Sequence, residues 1–332
     1  MTTQIIATIG KNFDKKSIFE MHKAGANIFR YNFSHGNHKD AKRLRKILFE
    51  EDFNRCSLIG DIAGPEVRLY NYPHNLIIKK NQTIKIYSTQ YNTPEIKVNL
   101  RLDKFIPASN FILISDGLIR AELLDYNQTF MTIKCFNTKN IKLRAKAHIA
   151  FPGSTYPIDF LNEKDIHDIE FCMNNKFEYI ALSFVQNTED ILAVRQITQN
   201  SPILIIVKFE LPQAITNIDS IIRNADAFFI ARGDLGNECN LFQVPYLQSL
   251  ITKKCSLFKK PVFLATQILE SMITNPNPLR AELTDIAYAI KTNISALTLS
   301  GETAYGKYPL EAIKTLKKMI DIYSSLTHLN KF

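Results

Sequence analysis

The chain has 332 residues, 45% of them hydrophobic and 22% charged, enough apolar material for a full core, so wholesale disorder is excluded. Lys and Arg outnumber Asp and Glu by 41 to 32, and five scattered cysteines without a C-x-x-C pair argue against a disulfide framework or zinc site and for a reducing, cytoplasmic setting. No apolar run is long enough to span a bilayer, and no basic stretch followed by an apolar one opens the chain, so neither a membrane segment nor a secretion signal is expected.

Short β-rich runs occur at 5–10, 27–33, 57–63, 179–184, 203–210, 227–234, 261–267 and 296–302, and each ends in a polar or Gly-containing tip. Helical patterns follow most of them, at 15–22, 163–172, 188–194, 218–222 and 310–323. Strands alternating with helices, eight times over, predict an α/β fold of the (β/α)8 TIM-barrel type. The bases Lys39, Lys42, Arg43, Arg45 and Lys46, and again Lys253, Lys254, Lys259 and Lys260, recur among apolar residues at helical spacing. They read as solvated helix faces, and with no nucleic-acid-binding signature no nucleic-acid partner is expected.

One interval breaks the rhythm. Between Arg68 and Phe151 the sequence alternates with period two, at 82–87, 95–98, 111–114, 130–134 and 141–144. This predicts a small all-β lid at 70–151, inserted at the C-terminal end of the third strand, with the barrel formed by 1–69 and 152–332.

Barrel enzymes work at the C-terminal ends of their strands. At the second tip, alternation puts Arg30, Asn32 and Ser34 on one face and Tyr31 and Phe33 on the other, a cation beside neutral oxygens that suits a phosphate or a hydrated metal. Asp61 and Glu66 flank a tight Gly64-Pro65 turn, and Lys208 shares a face with Glu210. Glu210 and Asp234, at neighbouring tips, form an oxygen-only pair for Mg²⁺, with Lys208 beside it to stabilise a phosphoryl group or an enolate. Thr266 adds a hydroxyl and Glu302 a carboxylate, whereas His35 and His38 read as a loop polar pair. Taken singly, Lys208–Glu210 is also a plain ion pair and residues 233–236 a generic turn. Residue chemistry alone reaches a Mg²⁺-dependent barrel enzyme acting on a phosphorylated or carboxylated small molecule, without a named substrate.

The runs R-x-N-F-S-H-G (30–36), Gly64-Pro65-Glu66, A-R-G-D-L-G (231–236), A-T-Q-x-L-E-S-M (265–272), Arg280-Ala281-Glu282 with Asp285, and L-S-G-E-T-A (299–304) resemble the pyruvate kinase family, in order, over almost the whole chain. The resemblance implies a TIM barrel with an inserted β lid and a glycolytic, ATP-binding phosphotransferase. Its reaction would carry the phosphoryl group of phosphoenolpyruvate to ADP through enolpyruvate, giving pyruvate and ATP. It further implies that Glu210 and Asp234 hold Mg²⁺ (or Mn²⁺), that Lys208 stabilises the phosphoryl group in flight and the enolate, and that Thr266 assists protonation. Asn32, Ser34, Asp61 and the carbonyl of Ile62 would hold K⁺, with Glu66 matching the K⁺-dependent type. Arg30, counted as catalytic with Lys208 and Thr266, would also join Arg68, His35, Ser183, Gly233 and Thr266 in the substrate and nucleotide phosphate-binding set, and the 280–289 helix would make a homodimer contact through the barrel.

Departures from the family pattern are Lys11 and Asp40, where residues flanking the adenine are usual, then Ile62-Ala63, Ala147 beside Lys146, Leu211-Pro212 and Tyr305. The family's C-terminal effector domain does not follow the barrel, so sugar-phosphate activation is not expected. These departures leave an alternative: a paralogue that keeps the Mg²⁺–enolate core but uses another phosphoryl acceptor, or performs lyase or decarboxylase chemistry on a keto acid. A non-catalytic binding protein is disfavoured by the retention of Lys208, Glu210, Asp234 and Thr266, costly groups to keep without a use.

Overall fold

The computed structural model of the chain describes residues 3–50, 53, 56–137 and 139–329. Eight parallel strands, β1 (Gln4–Thr8), β2 (Ile28–Asn32), β3 (Ser57–Ile62), β4 (Tyr179–Leu182), β5 (Leu204–Phe209), β6 (Ala227–Ala231), β7 (Val262–Ala265) and β8 (Ala296–Leu299), close into a barrel. Closure is made by β1, which pairs with β2 on one side (Ile6↔Ile28) and with β8 on the other (Ile6↔Thr298). Seven of the eight strands fall within the runs read from the sequence and β1 starts one residue before its run, at Gln4, but each stops short of its tip. Residues 232–238 and 301–304 begin short helices instead, so the run 233–236, a turn on the sequence reading, is helical.

Local chemistry sets the helix starts. Asp14 accepts from the Ser17 amide at 2.7 Å while the Ser17 hydroxyl accepts from the Asp14 amide at 3.0 Å, a reciprocal cap on helix Lys15–Ala24. Asn162 with Asp165, and Asn187 with Asp190, repeat the arrangement before Glu163–Asn174 and Thr188–Thr198. Polar residues at the strand-to-helix junctions thus satisfy amides that would otherwise lack partners.

The barrel interior is filled from every strand. Ile6, Ile28, Ile59, Ala181, Ile206, Ala227, Phe229, Phe263, Ala265 and Ala296 form one buried apolar cluster. Two residues further along, side chains face the same way but are polar: Thr8, Arg30, Asp61, Ser183, Lys208 and Thr298. An apolar plug therefore carries a polar layer, and that layer is the floor of the site.

The interval after β3 forms a seven-stranded sheet, ordered Ile149–Ala150, Phe111–Ile114, Ile119–Tyr126, Phe130–Cys135, Thr83–Ser88, Lys97–Val98 and Leu69–Tyr70, plus the pair Ile77–Ile78 and Ile141–Lys142. Its longest strand, Ile119–Tyr126, is absent from the sequence reading; Ile119, Ala121 and Leu123 point inward, but exposed Leu124 beside Leu123 breaks the alternation. Phe184 and Leu211, from the tips of β4 and β5, are buried in the lid's own core and dock it on the barrel. Leu211, one of the departures from the family pattern, thus serves as an apolar contact between barrel and lid.

Arg45 departs from its expected place on a solvated face. It is 7% exposed, bonds the Glu178 carboxylate through both terminal nitrogens at 3.0 and 2.7 Å, and also donates to the Lys176 carbonyl, tying helix His38–Leu48 to the approach to β4. Periodicity cannot tell which base in a basic helix lies on its inner edge. Because Glu178 keeps partial access to water, Arg45→Met should lower the unfolding free energy by about 2 kcal/mol in urea denaturation; an unmoved midpoint would leave the pair with no net stabilising role.

Candidate active site

The polar layer is a network of charge. Arg30 Nε donates to Asp61 Oδ2 at 2.6 Å, and its Nη1 donates to the Thr8 hydroxyl at 3.1 Å. Lys208 Nζ lies 2.7 Å from Glu210 Oε1 and 3.6 Å from Asp61 Oδ1, and donates to Ser183 Oγ at 2.8 Å. The Ser183 hydroxyl donates in turn to the Ile62 carbonyl at 2.8 Å. Burial alone would raise the Asp61 carboxyl, but Arg30 and Lys208 hold it below the ordinary carboxylate value. Burial would pull Lys208 down, yet Asp61, Glu210 and Asp234 together push it above its usual value. Glu210, fully buried, is raised by desolvation against the opposing pull of Lys208.

Glu210 also supplies the test of fit for a metal. Its Oε2 accepts from the Phe184 amide at 2.7 Å, but Oε1 is buried with no well-aligned hydrogen bond; the nearby Lys208 offers charge without bond geometry. A buried carboxylate oxygen left without a directed partner, near the Asp234 carboxylate, fits a hard divalent cation completed by substrate oxygens and water. Among the described residues no three His, Cys, Asp or Glu side chains converge as a self-sufficient metal cage. Asn32, Ser34 and Asp61 line one wall of the same cavity, an all-oxygen set suited to a monovalent cation, with Ser34 N–H already donating to Asn32 Oδ1 at 2.8 Å.

Most of the sequence-derived candidates come together. Arg30, Asn32, Ser34, His35, Asp61, Arg68, Ser183, Lys208 and Asp234, with Glu66, line a cavity of about 340 Å³ roofed by lid residues that include Asp116, Arg144, Lys146 and His148. Glu210 lies beneath Lys208, and the Ile62 side chain is buried while its carbonyl takes the Ser183 hydroxyl. Burial and the positive charge of Arg68, Arg30 and Lys11 hold the His35 imidazole below its ordinary value. His38 does not accompany His35: its Nε2 meets Asp168 at 2.7 Å and its ring stacks on Phe171.

Thr266 and Gly233 stand next door. Thr266 lines a larger adjoining cavity of about 950 Å³, which shares Arg30, Asn32 and His35 with the first and whose rim includes Lys11, Asp40 and Tyr305. Gly233 lines a third, of about 530 Å³, and donates its amide to Thr266 Oγ1 at 2.9 Å. Glu302 lines none of these cavities: its carboxylate accepts from the Leu269 and Ser300 amides at 2.9 and 2.7 Å and is fully buried, so it braces two tips.

Two backbone features hold these tips in place. Gly64 has φ of +65°, and a Cβ there would stand 2.4 Å from the Ser183 carbonyl oxygen, so only glycine lets the β3 tip turn against β4. Thr266 and Gln267 both have left-handed backbone, at φ 69° and 54°, a conformation costing about 1–3 kcal/mol per residue. Arg232 compensates by donating to both their carbonyls, at 2.7 and 2.8 Å, while its other terminal nitrogen bonds Asp285. This role was missed in the sequence although Arg232 sits inside A-R-G-D-L-G. Replacing the fork by an ammonium in Arg232→Lys should cost about 2 kcal/mol in urea denaturation; an unmoved transition would show that the turn holds itself.

A family model described as the barrel domain of pyruvate kinase matches residues 1–313. Chloroplastic pyruvate kinase isozyme G of Nicotiana tabacum is 34% identical over 326 residues, 95% of this chain and 57% of that protein. Pyruvate kinase of Staphylococcus epidermidis is 35% identical over 336 residues, and that of Staphylococcus aureus 34% over 329, each match covering 96% of this chain and 56% of the relative. The chain thus spans about half the length of the curated relatives it matches.

Proposed function

Since the chain belongs to the pyruvate kinase family, we propose that it transfers the phosphoryl group of phosphoenolpyruvate to ADP, giving pyruvate and ATP, with Mg²⁺ (or Mn²⁺) and K⁺ as cofactors. The observation that carries this reading is the buried, undirected Glu210 Oε1 beside Lys208, at the floor of a cavity lined by Arg30, Arg68 and Asp234.

Phosphoryl transfer asks a protein for positioning and charge neutralisation more than for covalent help. Arg30 and Arg68 bind and orient the donor's phosphate, and the Lys208 ammonium, kept charged by its carboxylate neighbours, faces the negative charge that builds up during transfer. A divalent ion held by Glu210 and Asp234 would neutralise phosphate charge and polarise the enolate oxygen; K⁺ would rest on Asn32, Ser34, Asp61 and the Ile62 carbonyl. Thr266 Oγ1 already accepts from the Gly233 amide, which leaves its own proton free to be donated towards the enolate carbon from the adjoining cavity. Lid residues Asp116, Arg144, Lys146 and His148 roof the cavity, a cover that would limit water above the transferring group.

A second reading has its own support. Lys11, Asp40 and Tyr305 rim the larger cavity next to Arg30 and Thr266, so the place for an acceptor is polar and charged. Another phosphoryl acceptor, or lyase or decarboxylase chemistry on a keto acid over the same metal–enolate floor, fits that rim. The proposed compartment is the cytoplasm, supported by five free cysteines; among the described residues no helix is long and apolar enough to cross a membrane. We further propose a homodimer through the barrel, supported by Phe242, Tyr246 and Tyr288, exposed at 90%, 67% and 49% beside helices Val244–Leu257 and Arg280–Lys291.

A phosphorus NMR time course with phosphoenolpyruvate, ADP, Mg²⁺ and K⁺ should show ATP growing as the donor disappears, and Asp234→Ala should slow it at least 100-fold. Binding of donor and metal without ATP formation would remove ADP as acceptor and favour the second reading. For the assembly, light scattering should give a dimer for the native chain and a monomer for the double variant Phe242→Asp, Tyr246→Asp; a native monomer would overturn the dimer.

A further inference from the structure

The lid returns to the barrel through residues 147–156, and three groups of that segment converge on one buried residue. Glu238 ends the helix Arg232–Glu238, one turn beyond Asp234, and is 1% exposed. Its Oε2 accepts from the Tyr156 hydroxyl at 2.6 Å, and that hydroxyl accepts from the Phe151 amide at 2.9 Å. The Glu238 carbonyl accepts from the Gly153 amide at 2.9 Å. Its remaining oxygen, Oε1, faces His148 Nε2 at 3.3 Å, and neither atom has a well-aligned hydrogen bond among the described residues.

His148 is itself 6% exposed and lines the cavity that holds Lys208 and Asp234. Its main chain is fixed on the lid side, bridged to Arg68 and accepting from the Ser115 amide at 2.9 Å. One side chain thus joins the lid's stalk to the far end of the helix that carries Asp234. A buried imidazole and a buried carboxylate are each costly alone and tolerable only together. Neither the barrel's closure nor the lid's own core requires them where they are.

We propose that His148 is a positioning residue: clasped by Glu238, it seats the lid's return segment on the helix bearing Gly233 and Asp234 and so keeps Asp234 in place at the cavity. Its effect on activity rests on the phosphoryl-transfer reading above; its effect on lid and helix does not. The groups that face His148 are Glu238, Asp116 at 4.0 Å from Nδ1, and the more distant Glu66 and Asp234. Burial would lower its proton affinity, but Glu238, Glu66 and Asp234 raise it to about 9. The charged clasp is therefore complete below the ordinary histidine value and is lost as pH rises through about 9.

The test uses the full chain with His148→Ala, His148→Gln and Glu238→Gln, followed by amide hydrogen exchange and by Mn²⁺ binding from water-proton relaxation. His148→Ala should speed exchange in both 147–156 and 232–238 and weaken Mn²⁺ binding about tenfold, while kcat falls and the KM for phosphoenolpyruvate stays within about twofold. His148→Gln, the milder variant should the alanine chain fail to fold, should restore part of the protection. It should also abolish the extra exchange that the native chain gains between about pH 8 and pH 10. Faster exchange confined to 147–156, with 232–238 and Mn²⁺ affinity unchanged, would overturn the proposal. An inactive native chain in which the two segments still respond together would overturn the phosphoryl-transfer reading and leave the joint standing.

Discussion

Two carboxylates and two cations share the floor of the barrel's open end, and much else follows from keeping them there. Asp61 and Glu210 are almost wholly buried; Arg30 and Lys208 at contact distance hold the Asp61 carboxyl below its ordinary value, and Lys208 opposes the desolvation that raises Glu210. The barrel meets this demand with a single step of strand alternation. The residues of its apolar plug are succeeded, two positions on, by Arg30, Asp61, Ser183 and Lys208, so strand pairing places the charges. Side chains fixed by paired strands need little reorganisation when a charged ligand arrives, which is the condition under which electrostatic stabilisation is most effective.

How much of this is legible in the sequence depends on the range of the interaction. Alternation assigns Arg30 and Asn32 to one face and Tyr31 and Phe33 to the other; in the structure the first pair lines the cavity and the second is buried in the core. Lys208 and Glu210, two apart, are likewise readable as neighbours. What alternation cannot supply is direction within a crowded tip. Glu302 reads like Glu210, a carboxylate just past a strand, yet two backbone amides turn it into a brace. Arg45 reads like Lys46, yet only one of them meets Glu178. Arg232 and His148 act through partners 34 and 90 residues away, at Thr266 and Glu238, and no local pattern announces contacts at that distance.

The departures from the family pattern acquire physical meaning once placed in space. Leu211 enters the apolar core of the lid. Lys11, Asp40 and Tyr305 gather on the rim of one cavity although they are far apart in the chain. They meet on one surface, whereas Ala63 and Ala147 fall on the neighbouring cavity, among Arg30, Asp61 and Lys208.

The lid enters and leaves the barrel side by side. Leu69 N–H donates to the Ala147 carbonyl at 2.8 Å and Ile149 N–H to the Val67 carbonyl at 3.1 Å, so the two crossings form a short ribbon. A ribbon of two bonded strands resists bending in its own plane and yields at right angles to it. Any swing of the lid would thereby be confined close to a single axis, as a door is by its pin.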